Sequence, residues 1–173
     1  MNLNVLREMG LALLFVLLQV LVFNQIHLLG VAIPLVFIYV IFRMPLSLST
    51  GWLLTASFLL GLVVDIFSDT PGMNALACTI LAFMRRSVLS LYLPHGSGEH
   101  LADVPSIKEF GMWLYVRYAL TLTLLYCVLL FVIESLSLFD FPYLLLRIVS
   151  STLLTFVLIL CIDSLRQNRE KRL

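Results

Sequence analysis

The residues with most chemical content lie in the run Gly61-Leu62-Val63-Val64-Asp65-Ile66-Phe67-Ser68-Asp69-Thr70-Pro71-Gly72-Met73-Asn74-Ala75. Asp65 is an acid in an apolar stretch. Ser57, Gly61 and Asp65 recur every four residues and so share one helix face. Small residues on a face let a second helix approach closely. A carboxylate at mid-span in lipid costs about 2.5–3.5 kcal/mol on insertion scales, so Asp65 is expected to point into protein. Thr70 fits a helix N-cap, with Pro71 at the first helical position, where its missing N–H is no loss. Asp65 and Asp69 then lie near the positive end of that helix's dipole. The small face continues through Ala75, Thr79 and Ala82. The pattern predicts a tight helical hairpin, read either as a capped turn with one satisfied acid or as a contact surface.

Arg147 is the matching cation. It shares a face with Ser151 and Thr155, again at four-residue spacing, and should face protein rather than lipid. Asp65 and Arg147 both fall in the outer halves of their apolar blocks and are expected to pair, each neutralising the other in a low-dielectric interior. Glu134, Asp140 and Asp69 compete for the same guanidinium. Arg117 lies near the inner end of its block and is read as snorkelling to the interface.

Other reactive residue types lack a supporting arrangement. His95, Glu99, His100 and Asp103 can bind zinc, but they fall in a Gly-Ser segment with no helix or strand to fix them, and a solvated linker is expected. Cys78, Cys127 and Cys161 each lie inside an apolar block without metal-ligand spacing, as packing thiols do. There is no Ser–His–Asp or Cys–His set, no glycine-rich phosphate loop and no proton-relay pair of carboxylates. Neither catalysis nor a cofactor is expected. The basic residues form no stripe interleaved with aromatics, which argues against nucleic acid.

The elements that position these residues follow from composition. Of 173 residues, 61% are hydrophobic and 12% charged, against about 25% charged in ordinary soluble domains. The apolar residues come in long blocks, the pattern of lipid-facing helices. From Met9 to Phe42 no Asp, Glu, Lys or Arg occurs. One helix of that length would measure about 50 Å, against a hydrocarbon core of about 30 Å, so the stretch must break, and Asn24-Gln25 is the polar point. No small-residue cleavage site follows the first block, which is therefore read as retained. The prediction is an all-α, polytopic membrane bundle of six spans at 9–23, 26–42, 48–67, 71–92, 110–133 and 142–162. A loop at 93–109 and a basic tail at 163–173 complete a single membrane domain, with Pro34 as a candidate kink in the second span. Arg7, Arg43, Arg85, Arg86, Lys108 and the tail fall on one side, and the other loops hold no Lys or Arg, which predicts both termini in the cytoplasm.

The hairpin resembles the signature of the MreD family of bacterial rod-shape-determining membrane proteins, roughly G-x-x-x-D-x-x, a short polar turn, then P-x-G-x-N/H-A. The matching residues are Gly61, Asp65, Phe67, Pro71, Gly72, Asn74 and Ala75, with Pro71 and Gly72 adjacent where many members have a residue between them. Length, six spans, Pro34 and the basic tail fit as well, though many small membrane proteins share these. The resemblance implies a noncatalytic scaffold of the cell-wall elongation machinery in the bacterial inner membrane. Its implied partners are an MreC-like bitopic protein, the MreB filament and the RodA–PBP2 synthase. It also implies a fold similar to the S components of energy-coupling-factor vitamin transporters. A vitamin-binding S component is itself the alternative function, but such subunits carry an A-x-x-x-A docking face in the first helix, and Gly10-Leu11-Ala12-Leu13-Leu14-Phe15-Val16 has none. A small channel or exporter would want several polar residues along one path, and Asp65 with Arg147 is thin support.

Overall fold

A computed structural model describes residues 3–21, 32–92, 105, 111–135 and 141–170. Within them the chain forms helices α1 (Leu3–Leu21), α2 (Tyr39–Arg43), α3 (Thr50–Ser68), α4 (Met73–Tyr92), α5 (Met112–Glu134) and α6 (Phe141–Glu170), with a 3-10 turn at Val36–Ile38 before α2. Four of these, α3 to α6, are long and apolar enough to cross a membrane. They follow the predicted spans 48–67, 71–92, 110–133 and 142–162 to within about two residues at most ends. The exception is α6, which continues to Glu170, so most of the predicted basic tail is helical. The chain is thus an all-helical membrane protein in its described residues.

Burial explains why these helices assemble. In lipid, apolar side chains gain nothing by leaving hydrocarbon for protein, so close packing and hydrogen bonds hold the bundle. Accordingly α6 turns Leu145, Leu146, Val149, Leu153 and Val157 outward, while Ser151, Thr155, Ile159 and Asp163, spaced by four, are buried. Helix α5 buries Tyr115, Tyr118, Leu122 and Tyr126 on one stripe and exposes Leu120, Leu124, Val128 and Val132. Successive helices run antiparallel: Tyr126 of α5 meets Asn74 near the start of α4, and Tyr118 meets Arg85 near its other end.

The second predicted span, 26–42, is not a continuous helix in its described part. Residues 33–35 have no regular secondary structure, and only the short 3-10 turn and α2 follow. The expected break at Asn24-Gln25 lies outside the described residues. This segment is the centre of the bundle: Val36, Phe37, Ile38, Tyr39, Ile41 and Phe42 are all essentially inaccessible. Irregular backbone survives at membrane depth only when protein satisfies its polar groups, and here polar side chains do so. Gln19 of α1 donates its amide to the Pro34 carbonyl at 2.9 Å and accepts the Val36 N–H at 2.9 Å. Ser151 Oγ accepts the Ile33 N–H and Thr155 Oγ1 the Leu35 N–H, each at 3.0 Å. Proline at position 34 removes one donor that would otherwise need a partner.

Candidate functional site

The α3–α4 hairpin is built around Asp65. Helix α3 ends in left-handed Asp69 (φ 54°), and Gly72 (φ 78°) supplies the second positive φ before α4 begins at Met73. Helix α4 therefore starts two residues after Pro71, and Thr70 is not its N-cap as the spacing predicted. The cap comes from the neighbouring helix. Asp65 Oδ1 accepts from the Asn74 N–H at 3.0 Å, and Oδ2 accepts from the Ala75 N–H at 2.8 Å. These are the orphan donors of the first turn of α4, and an anion there also meets the positive end of the dipole. The same Oδ1 accepts from the Thr70 hydroxyl at 2.6 Å and the Asn74 amide at 2.9 Å. Tyr126 completes the network by donating its hydroxyl to Asn74 Oδ1 at 2.7 Å.

Gly61 is what allows this reach. A Cβ there would stand 2.6 Å from Ala75 Cα and 2.6 Å from the Asn74 carbonyl oxygen. No side chain fits, so α3 lies backbone-to-backbone against the start of α4, and a carboxylate one turn later meets its N–H groups. Of the motif residues the sequence singled out, the structure thus brings Gly61, Asp65, Gly72, Asn74 and Ala75 into one brace. Phe67 and Pro71 lie outside it, exposed on the surface.

Arg147 does not pair with Asp65. Its Nη1 donates to Glu134 Oε1 at 2.9 Å, and its guanidinium carbon lies 4.7 Å from the Phe131 ring centroid. Asp65 is committed to the hairpin, while Glu134 ends α5 opposite the second turn of α6, so the competing acid wins on proximity. The two side chains are 22% and 37% exposed. Between this pair, the hairpin turn and the irregular 33–35 segment lies a cavity of about 380 Å³. Arg117 is exposed, with its guanidinium carbon over the Trp113 ring at 4.9 Å from the centroid.

The far end of the bundle holds a second polar cluster, of which sequence reasoning set Arg43 just after the second span and Asp163 at the start of the basic tail. Asp163 is 1% exposed; it accepts from the Tyr39 hydroxyl at 2.7 Å and forms a 3.2 Å salt bridge with Arg43. Arg85, equally buried, donates Nε to Tyr118 Oη at 3.2 Å and Nη2 to the Met44 carbonyl. Arg86 donates to Thr50 Oγ1 at 3.1 Å and to the Leu46 carbonyl at 3.0 Å. The two arginines thereby fasten the connection from α2 to α3 through its carbonyls. The available signal was register: Asp163 continues the four-residue series Ser151, Thr155, Ile159 inward.

The zinc-type residues His95, Glu99, His100 and Asp103 lie outside the described residues, and among the described ones no three His, Cys, Asp or Glu side chains come together. Cys78 and Cys127 are buried and Cys161 is exposed. Compared with known proteins, the chain matches no family model, no curated protein and no solved structure.

Proposed function

We propose that this chain is a noncatalytic membrane scaffold of the MreD type, working in the bacterial inner membrane with both termini cytoplasmic. In this reading it binds an MreC-like bitopic protein and, through it, the MreB filament and the RodA–PBP2 synthase. The observation that carries the reading is the use made of the motif. Gly61, Asp65, Asn74 and Ala75 are consumed in bracing two helices, with no reactive group presented. Beside the brace, Ile66 and Phe67 stand outward, 70% and 62% exposed. A rigid hairpin displaying a fixed apolar edge suits a single partner helix in the bilayer, where close packing rather than burial from water gives affinity.

The test is site-specific photocrosslinking in cells from position 67, with position 113 on the far end of α5 as control. The reading expects a discrete adduct with an MreC-like protein from 67. The alternative, a vitamin-binding S component, is favoured by the cavity beside Arg147. Copurification of a vitamin with an ATPase module, and no cell-wall protein, would replace the scaffold by that reading.

A further inference from the structure

We propose that the cavity at the hairpin end is a binding site for the headgroup of a zwitterionic aminophospholipid such as phosphatidylethanolamine. The cavity, about 380 Å³, is within the range of small-ligand sites. Among the described residues, Arg147 and Glu134 are the two ionisable groups on its wall, one cation and one anion. Its amides are already committed: Gln19 holds the backbone at Pro34 and Val36, and Asn74 holds Asp65 and Tyr126. Recognition of a ligand therefore falls to the charged pair. The guanidinium carbon lies over the Phe131 ring, and only Nη1 is engaged with Glu134, so a phosphate oxygen has further Arg147 donors to meet. Glu134 offers its second oxygen, Oε2, to a primary ammonium. A partly exposed ion pair contributes little stability by itself, so a ligand carrying both charges can open it and replace each partner with its own.

Position selects a lipid over a soluble zwitterion. The cavity lies where α3 ends at Ser68, α5 ends at Glu134 and α6 begins at Phe141, the level at which spans leave the hydrocarbon. Phe67 lines the cavity and is also 62% exposed, so the wall runs directly onto the outward apolar surface, continuing to Ile66. On the ion-pair side Val132 and Leu146 are exposed as well, and acyl chains can lie along them while the headgroup occupies the cavity, which leaves the Ile66–Phe67 edge to the partner helix. Ile33, Leu35 and Val64 give the cavity an apolar floor opposite the ion pair.

The experiment is native mass spectrometry of the full chain released from nanodiscs holding equal amounts of phosphatidylethanolamine, phosphatidylcholine and phosphatidylglycerol. Phosphatidylcholine keeps both charges but has no ammonium N–H to donate, and phosphatidylglycerol lacks the cation. Phosphatidylethanolamine is expected to be retained at least fivefold over either, with the preference lost in Arg147→Gln and in Glu134→Gln. Equal retention of the three lipids by the wild-type chain would overturn the site, as would a preference unchanged in both variants. The wild-type comparison decides alone if a variant fails to fold. Soluble phosphoethanolamine, added in excess, should displace little lipid; complete displacement would assign the cavity to a free zwitterion instead.

Discussion

Replacing Asp65 by alanine tests the hairpin most directly. The substitution withdraws the acceptor from four donors at once: the N–H groups of Asn74 and Ala75, the Asn74 amide and the Thr70 hydroxyl. Loss of an N-cap is worth about 1 kcal/mol in general. Each buried donor left unsatisfied adds about 1–3 kcal/mol. On the α3 side the Ala75 N–H faces the backbone at Gly61, whereas Thr70 and Asn74 line the cavity, so water can recover part of the loss there. Since the donors share one acceptor, the losses do not add in full, and about 3–5 kcal/mol is expected, as for breaking other buried charged networks. Asp65→Asn keeps the shape and one oxygen but turns an N–H₂ toward a donor, for a loss of about 2 kcal/mol. At roughly 2–4 °C per kcal/mol for a chain of this size, Asp65→Ala should lower Tm by about 6–20 °C. Thermal unfolding in mild detergent with a thiol-reactive dye reads this through buried Cys78 and Cys127 over the baseline from exposed Cys161. A Tm for Asp65→Ala within about 2 °C of wild type, or one above that of Asp65→Asn, would refute the capping account.

Gly61→Ala should destabilise by about 1–3 kcal/mol or more, because the new methyl overlaps backbone rather than a movable side chain; the same dye assay measures it. Gln19→Leu preserves size but strands the Pro34 carbonyl and the Val36 N–H, and should lose about 2–4 kcal/mol, read as unfolding at lower denaturant. Asp163→Ala withdraws the acceptor of the buried Tyr39 hydroxyl and one partner of Arg43 and should lose about 1–3 kcal/mol, whereas Arg117→Ala, at an exposed site, should change Tm by less than about 2 °C.

Hydropathy and length gave the four long spans because each of those helices satisfies its own backbone and needs only an apolar exterior. The same reasoning missed the irregular backbone at 33–35. Whether an apolar segment is helical there depends on Gln19, Ser151 and Thr155, and two of those lie more than a hundred residues away. Four-residue spacing correctly assigned Asp65, Ser151 and Thr155 to the interior. Spacing reports the face of a helix and not the neighbour it meets, so the partner of Arg147 was misassigned to Asp65 when Glu134 stood closer. Thr70 was read as a cap from local chemistry alone. The structure instead uses it as one more donor to a carboxylate five residues back, made possible by a missing side chain at Gly61. Asp163 and Arg43 were taken for flanking charges; the four-residue register of α6 marks Asp163 as inward, whereas nothing local shows that Arg43 folds beneath the bundle to meet it.

The irregular strand at the bundle centre also bears on the order in which the molecule is made. Ile33 and Leu35 leave the ribosome with two amide groups whose acceptors, Ser151 and Thr155, are 118 and 120 residues further along. At roughly 5–20 residues per second, some 6–24 s of synthesis separate donor from acceptor. During that interval these amides need water or the insertion machinery as a stand-in, and settling of the first third of the chain waits on its final helix. A nascent chain halted before Ser151 should therefore leave position 35, 4% exposed in the complete fold, accessible to an aqueous thiol reagent when cysteine is placed there. Release of the complete chain should close it.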